Sequence, residues 1–91
     1  MKYEILATRR FKKDLKAIMK RGYNIQPLQD VVSLLTADSP LPEKNKDHAL
    51  SGNWTGHREC HITPDWLLVY KIDNDILVLT LTRTGTHSDL F

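Results

Sequence analysis

The sequence lacks several features that mark particular classes of protein. Its 91 residues contain a single cysteine, Cys60, which excludes an intramolecular disulfide and is typical of a reducing cytoplasm. The longest apolar run, Trp66 to Tyr70, is far shorter than the ~20 residues of a membrane-spanning helix. The first residues contain no apolar stretch of the kind found in secretory signals. We therefore expect a cytoplasmic protein that does not enter a membrane.

Disorder and low complexity are also absent from the composition. Hydrophobic residues make up 41% of the chain and charged residues 26%, which is ordinary for a globular protein. A chain of this length builds one hydrophobic core. The sequence therefore predicts one domain over residues 1–91.

Charge is divided unevenly along the chain. Residues 1–21 contain eight basic and two acidic side chains, a net charge of +6, and the remaining residues contain five basic and nine acidic ones, a net charge of −4. Such asymmetry indicates a polyanionic partner.

A strand and a basic helix are predicted in this N-terminal segment. Residues 2–7 are predicted to form the strand, and residues 9–21 the helix, with Thr8 as its cap and Gly22 ending it. The helix has an apolar stripe at helical spacing, formed by Phe11, Leu15, Ile18 and Met19. Its cations suit a polyanionic partner, although plain solvation also explains them; they are Arg9, Arg10, Lys12, Lys13, Lys16 and Lys20.

The rest of the chain predicts a second helix followed by strands. The helix spans residues 25–36 with Asn24 as its cap, and a polar surface loop carrying His48 spans residues 43–53. Strands are predicted over 54–62, 66–72 and 76–84, separated by turns at 63–66 and 73–75. Thr86 and Asp89 resemble a capping box for a last helical turn. The predicted fold class is α+β, with one N-terminal strand, two helices, and then antiparallel strands forming a sheet with the helices on one face.

Histidine spacing near Cys60 raises the question of a metal site. His57 and His61 are four residues apart, a spacing that suits zinc on a helix. In a strand, at ~3.3 Å per residue, the two side chains lie about 13 Å apart, too far for one ion with bonds of about 2 Å. Cys60 and His61 face opposite sides of the strand. The sequence therefore predicts no metal site.

Metal-free cleavage of RNA suits the same residues better. The reaction needs a base for the ribose 2′-OH, an acid for the departing 5′-oxygen and a cation for the phosphorane. Histidine titrates near neutral pH, and arginine offers a forked cation to phosphate. His61 and Asp65 flank the turn at Pro64, whereas Arg83 and His87 end the last strand, and Phe91 can stack on a base.

Each of these residues also has a structural explanation. His48 suits a loop, His57 a strand surface, and Asp65 a turn. Arg83 is equally explained by an ion pair with Glu59 across the sheet. Structural roles are also open for four more residues: a first-turn position for His87, a C-terminal anchor for Phe91, and packing for Trp54 and Trp66. Cys60 is predicted to face the core.

Three segments carry a resemblance to a known family, namely residues 46–54 (KDHALSGNW), 56–71 (GHRECHITPDWLLVYK) and 83–91 (RTGTHSDLF). They closely resemble the YafQ toxins of the RelE/ParE superfamily. The resemblance implies a RelE-like fold with a curved sheet and a ribosome-dependent mRNA endonuclease that cuts in the A site without a metal or cofactor. It also implies a DinJ-like antitoxin as partner, the ribosome and mRNA as targets, and a higher-order toxin–antitoxin complex. With this resemblance, the cations of the basic helix are expected to dock on ribosomal RNA.

The resemblance also implies a set of catalytic residues. His48, His61, Asp65 and His87 share the acid and base work, Arg83 stabilises the phosphate, and Phe91 positions the nucleotide. Two other functions remain: a ParE-like toxin that binds gyrase without cleavage, and an inactive basic RNA-binding module. Gyrase-directed relatives generally lack the His/Asp/Arg set, which is complete in this sequence.

Overall fold

The computed structural model, which describes residues 2–91, contains five strands and three α-helices in these residues. Residue 1 of the predicted domain lies outside the described residues. The elements are β1 (Glu4–Ala7), α1 (Arg9–Lys20), α2 (Gln26–Thr36), β2 (His48–Ala49), β3 (Arg58–Thr63), β4 (Trp66–Asp73), β5 (Val78–Gly85) and α3 (His87–Leu90). Within this range, no helix is both long enough and apolar enough to span a bilayer.

The strands form one sheet in the order β1-β5-β4-β3-β2. Strands β2 to β5 pair antiparallel, as predicted, whereas β1 joins the edge of β5 in parallel. The parallel pairing is possible because the chain passes through both helices and three strands before it reaches β5. The predicted α+β architecture is confirmed.

The core lies between the sheet and helices α1 and α2. Alternate residues of β4 contribute Trp66, Leu68 and Tyr70 to this core, as expected for a strand with one face towards helices. Helix α1 contributes Phe11 and Ile18. Cys60 of β3 is fully buried among these side chains, and burial raises the pKa of its thiol to about 12. Its predicted core-facing position is confirmed.

Helix α1 begins where the sequence predicts. The Oγ1 of Thr8 accepts a hydrogen bond from the backbone N–H of Phe11 at 3.0 Å and donates one to the carbonyl of Thr82 at 2.8 Å. The prediction for Met19 is wrong, because its side chain is 54% exposed. At about 100° per residue, the side chain of Ile18 points in almost the same direction as that of Phe11. Met19 is rotated by about 80° from Phe11 around the helix axis, so it lies outside the apolar stripe.

Several predicted boundaries are corrected. Strand β1 begins at Glu4 and not at residue 2. Helix α2 begins at Gln26, one residue late, although Asn24 still accepts its N–H at 3.1 Å. Strand β3 begins at Arg58, because Trp54 belongs to a 3₁₀ turn. Strand β5 begins at Val78, because the turn after β4 extends through Leu77, whose φ is +54°.

The predicted loop over residues 43–53 contains regular structure. Two 3₁₀ turns, Glu43–Asn45 and Gly52–Trp54, flank the short edge strand β2. Asn45 is buried, and its Nδ2 donates to the carbonyl of His61 at 2.7 Å. The segment is therefore tied to the strand beside it.

Candidate active site

Strand register brings distant polar residues into one row across the sheet. His48 of β2 pairs with Glu59 of β3, which pairs with Val69 of β4, which in turn pairs with Arg83 of β5. Directly paired residues project from the same side of a sheet. The row therefore places His48 and Arg83 on one face, with a carboxylate and an apolar side chain between them.

The neighbouring row carries the other histidines. His61, two residues beyond Glu59, pairs with Leu67, which pairs with Gly85. His87 follows two residues later at the start of α3, and its ring centroid lies 6.1 Å from that of His61. The sheet face with His48 and Arg83 therefore also carries His61, and His87 joins it from α3.

Phe91 completes this cluster from the end of the chain. Its ring centroid lies 6.3 Å from that of His87 and 6.4 Å from that of Trp54. The side chain remains 60% exposed, so a large part of the ring is open to a ligand. The predicted role of Phe91 as a C-terminal anchor alone does not account for this exposure.

Helix α3 is held by a capping box and an ion pair. The Oδ2 of Asp89 accepts the N–H of Thr86 at 2.9 Å, and the Oγ1 of Thr86 accepts the N–H of Asp89 at 3.3 Å, which confirms the predicted box. Arg21 donates from Nη2 to the Oδ2 of Asp89 at 2.7 Å and holds the pKa of that carboxyl below its usual value. A Cβ on Gly85 would lie 2.8 Å from the Cβ of Asp89, so glycine is required for α3 to turn back this closely.

His48 has both ring nitrogens oriented. Its Nδ1 lies 2.8 Å from the carbonyl oxygen of Lys46, and its Nε2 lies 3.6 Å from the Oε1 of Glu59. Because a carbonyl only accepts, Nδ1 carries the proton. Nε2 then faces a carboxylate that is 5% exposed. The position is an edge strand, not the predicted loop.

The segment before His48 is fixed by its neighbour Asp47. Arg58 donates to the Oδ2 of Asp47 from Nη2 at 2.9 Å, and the hydroxyl of Tyr70 donates to its Oδ1. Burial, followed by the hydrogen bond to Asp47, raises the pKa of Tyr70. These contacts attach β2 to β3 and β4 from the core side.

His61 and Asp65 lie at the two ends of the turn between β3 and β4. The Nδ1 of His61 lies 3.3 Å from the carbonyl oxygen of Pro64, which leaves its Nε2 available. Asp65 is exposed, and within residues 2–91 its carboxylate has no hydrogen bond. The pKa of Arg21 is raised by its hydrogen bond to Asp89 and, more weakly, by the charge of Asp65. Asp65 is therefore close enough to Arg21, the residue that pairs with Asp89 of α3, for their charges to interact.

Arg83 does not form the predicted pair with Glu59. Its Nε donates to the Oδ2 of Asp14 at 2.8 Å and its Nη2 donates to the Oδ1 at 3.1 Å. The two side chains are 15% and 13% exposed. The hydrogen bond to Asp14 raises the pKa of Arg83. Because Glu59 faces His48 instead, the alternative of a cross-sheet ion pair is wrong.

Two tryptophans and one histidine occupy positions that the sequence left open. Trp66 is buried, and its Nε1 donates to the Oγ1 of Thr84 at 2.8 Å, so it packs in the core. His57 is half-buried in the turn before β3, and its Nδ1 has no hydrogen-bond partner in the described chain. Its ring meets that of Trp54 edge-on, with centroids 5.5 Å apart. His57 and Trp54 thus extend the ring cluster beyond Phe91.

Sequence reasoning missed Asp14 as a neighbour of Arg83 and Glu59 as a neighbour of His48. Asp14 gives one signal, because it is the only acid in α1. Glu59 gives another, because it lies between His57 and the predicted site residue His61 on one side of an alternating strand. Within residues 2–91, no three His, Cys, Asp or Glu side chains are grouped to hold a metal ion.

The cations predicted to bind RNA all lie exposed on α1. None of them forms an ion pair with another described residue; the set is Arg9, Arg10, Lys12, Lys13, Lys16 and Lys20. Their charges are therefore available to an external polyanion.

Comparison with known proteins gives the family. Residues 3–91 match the family described as bacterial toxin of type II toxin–antitoxin system, YafQ. The chain is 42% identical over 82 residues to the mRNA interferase toxin YafQ of Escherichia coli K12, covering 89% of this chain and 87% of that protein. A metal-bound toxin from Helicobacter pylori superposes with a TM-score of 0.92 at 44% identity, covering 98% of this chain and 99% of that one. The toxin in the E. coli DinJ–YafQ complex superposes with a TM-score of 0.90 at 39% identity, covering 98% of each chain.

The resemblance expected from the three sequence segments is therefore confirmed across almost the whole chain. This chain belongs to the YafQ family of toxins from bacterial type II toxin–antitoxin systems.

Proposed function

We propose that this toxin is an endoribonuclease that cuts mRNA in the ribosomal A site, without a metal ion, and so inhibits translation. Relatives at 42% identity are named mRNA interferases, which supports the reaction class. The observation that carries the proposal is the convergence of three histidines and one arginine on one face of the sheet, with an exposed aromatic ring beside them.

The reaction is an internal transfer of the phosphodiester. A base removes the proton of the ribose 2′-OH, the 2′-oxygen attacks phosphorus, and the bond to the 5′-oxygen breaks. An acid returns a proton to that oxygen, which leaves a 2′,3′-cyclic phosphate and a 5′-hydroxyl. Water is not consumed in this step, and each proton removed is balanced by one supplied.

The residues supply these functions by chemical type. His48, His61, His87 and Asp65 are the proton-transfer groups, and together they supply the base and the acid. Arg83 stabilises the charge on the phosphorane through its guanidinium. Phe91 offers its exposed ring to an unstacked base, a contact worth about 1–3 kcal/mol per base.

The partners follow from the family and from the charge distribution. A toxin of this family has been crystallised in a DinJ–YafQ complex, so we propose a DinJ-like antitoxin and a higher-order toxin–antitoxin complex for this chain. The exposed cations of α1 dock on ribosomal RNA, because rows of Lys and Arg bind phosphate and release its counterions.

Primer extension on mRNA translated in a purified system tests this function. We expect cuts at defined codon positions only when ribosomes are present, and we expect EDTA, added to purified toxin before dilution into the assay, to change nothing. Arg83→Ala and His87→Ala should each lower cleavage by about 100-fold or more, whereas Ser88→Ala, an exposed neighbour in α3, should retain full activity.

Two results would contradict the proposal. Equal cutting without ribosomes would remove ribosome dependence, and loss of cutting after chelation would point to a metal-assisted reaction. Inhibited growth without any mRNA cleavage would instead favour a gyrase-binding toxin.

A further inference from the structure

Asp14 makes three hydrogen bonds to the end of β5. Its carboxylate accepts from Nε and Nη2 of Arg83 at 2.8 and 3.1 Å, and from the backbone N–H of Thr84 at 3.2 Å. Both side chains of the pair are largely buried, where such bonds are weakly screened by solvent. The carboxylate of Asp14 thus holds both the guanidinium of Arg83 and the backbone of β5, the strand that carries it.

The contact uses only one edge of the guanidinium. An arginine has five N–H donors, and Asp14 takes the one on Nε and one on Nη2. Both N–H groups of Nη1 and the second on Nη2 remain. One N–H of Nη1 and the remaining N–H of Nη2 form the end-on fork that binds two phosphate oxygens. The register places Arg83 in the row with His48 and Glu59, so a fixed fork has a fixed relation to the histidines.

We infer that Asp14 is a positioning residue for cleavage, which holds the guanidinium of Arg83 so that its free fork meets the scissile phosphate. This inference rests on the proposed function, in which Arg83 contacts that phosphate. Asp14 belongs to α1, whose exposed face carries the cations. The same helix therefore docks on ribosomal RNA with one side and fixes the phosphate-binding arginine with the other.

Loss of the charge of Asp14 and loss of the position of Arg83 predict changes in different kinetic constants. Removing the charge of Asp14 makes the molecule more positive, so a purely electrostatic effect would tighten RNA binding and lower KM. Loss of position would lower kcat, because a misplaced catalytic group costs about 100-fold when it shifts by about 1 Å. A general loss of folding would lower the fraction of active molecules and leave KM unchanged. A lower midpoint of thermal unfolding in the variant would reveal such a loss.

Steady-state cleavage of ribosome-bound mRNA by Asp14→Asn tests the inference. We expect kcat to fall about 10- to 100-fold with KM within twofold of the wild type. Asp30→Asn is the matched control, because Asp30 is an exposed helical acid that accepts from Gln26, and it should leave kcat unchanged. In an Arg83→Lys background, Asp14→Asn should lower kcat less than threefold, because a lysine has no fork for Asp14 to orient.

Three kinetic results would overturn the inference. A higher kcat for Asp14→Asn would mean that Asp14 withholds Arg83 from the substrate. A change in KM alone would assign Asp14 to binding. An equal loss of kcat in the wild-type and Arg83→Lys backgrounds would mean that Asp14 acts through another group.

An NMR measurement separates this inference from the proposed function. Hydrogen exchange at Nε of Arg83 should be at least tenfold faster in Asp14→Asn than in the wild type and unchanged in Asp30→Asn. Equal exchange in all three proteins would overturn the inference, whatever the cleavage assay shows. Absence of cleavage by the wild type, together with slow exchange at Arg83, would contradict the proposed function. It would still support the conclusion that Asp14 holds the guanidinium of Arg83.

Discussion

An imidazole transfers a proton in a defined direction only when its other nitrogen is held. Nδ1 of His48 is held by the carbonyl of Lys46 and Nδ1 of His61 by that of Pro64, so Nε2 is the nitrogen left for proton transfer in both rings. In His48 this Nε2 faces the carboxylate of Glu59 at 3.6 Å. Both carbonyls belong to turns rather than to the sheet ladder. The backbone that leads into β2 and the backbone that follows β3 therefore also set the tautomers of His48 and His61.

A single carboxylate, Asp89, holds the helix that carries His87 and Phe91. We expect Asp89→Asn to disorder α3 and to lower cleavage, because the variant loses the ion pair with Arg21. The pKa of Asp89 lies below its ordinary value of 3.8, so its stabilising effect is complete above pH 3.8 and is lost as the pH falls through the lower folded-state value. Backbone NMR relaxation of residues 87–91 should show this step in the wild type and not in the variant.

The control for this experiment is Asp38→Asn. The pKa of Asp38 is also lowered, by Lys2, but that pair lies far from α3 in the chain. Residues 87–91 should relax in Asp38→Asn as they do in the wild type, and unchanged relaxation in Asp89→Asn would contradict the proposed role of the ion pair.

At the scale of elements, α1 has two functions on two sides. Phe11 and Ile18 bind it to the core, and its cations face away. We expect Lys12→Gln with Lys16→Gln, one turn apart, to weaken ribosome binding and to reduce the slope of log K against log salt by about 0.7–0.9 for each phosphate that the variant no longer neutralises. Filter binding over a series of salt concentrations measures both quantities.

The matched control removes the same charge elsewhere. Lys44 and Lys71 are exposed lysines outside α1, and Lys44→Gln with Lys71→Gln should leave the slope unchanged. An equal decrease of the slope in the two double variants would mean that net charge, and not this helix, attracts the ribosome.

The elements differ in how far the sequence predicts them. Helix α1 was predicted well because its cap at Thr8 and its apolar stripe are local properties of the chain. Strand β2 was missed because two residues give no period, and it exists only through pairing with Glu59 and Arg58. Residues 76 and 77 are apolar, so the sequence predicts them as part of β5. In the structure they lie in the turn before that strand.

The candidate site also combines features that are local in the sequence with features that depend on distant residues. Residue chemistry alone left each histidine with a structural explanation, and the resemblance to a family was needed to choose among them. The contact between Asp14 and Arg83 joins residues 69 positions apart. Asp14 stands out locally as the only acid in α1, but nothing local in either segment indicates that Arg83 is its partner. Contacts between residues far apart in the chain could therefore not be predicted from the sequence.

At the scale of the molecule, the cluster depends on one core that is shared by both helices and the sheet. Leu28 of α2 and Trp66 of β4 belong to the same buried cluster, so we expect the chain to unfold as one unit. In a Trp54→Phe background, fluorescence of Trp66 and far-ultraviolet circular dichroism should give coincident urea transitions. Leu28→Ala should shift both midpoints together, with a loss of about 2–5 kcal/mol in the free energy of unfolding.

Leu6→Ala provides the comparison, because this leucine of β1 is 57% exposed and the same truncation should cost less than about 1 kcal/mol. Separation of the two probes in Leu28→Ala would show that α2 unfolds independently of the sheet. The arrangement of the site residues would then depend on the folded sheet alone. Coincident transitions mean instead that any damage to the helical side also lowers the population of molecules in which His48, His61 and Arg83 share one face.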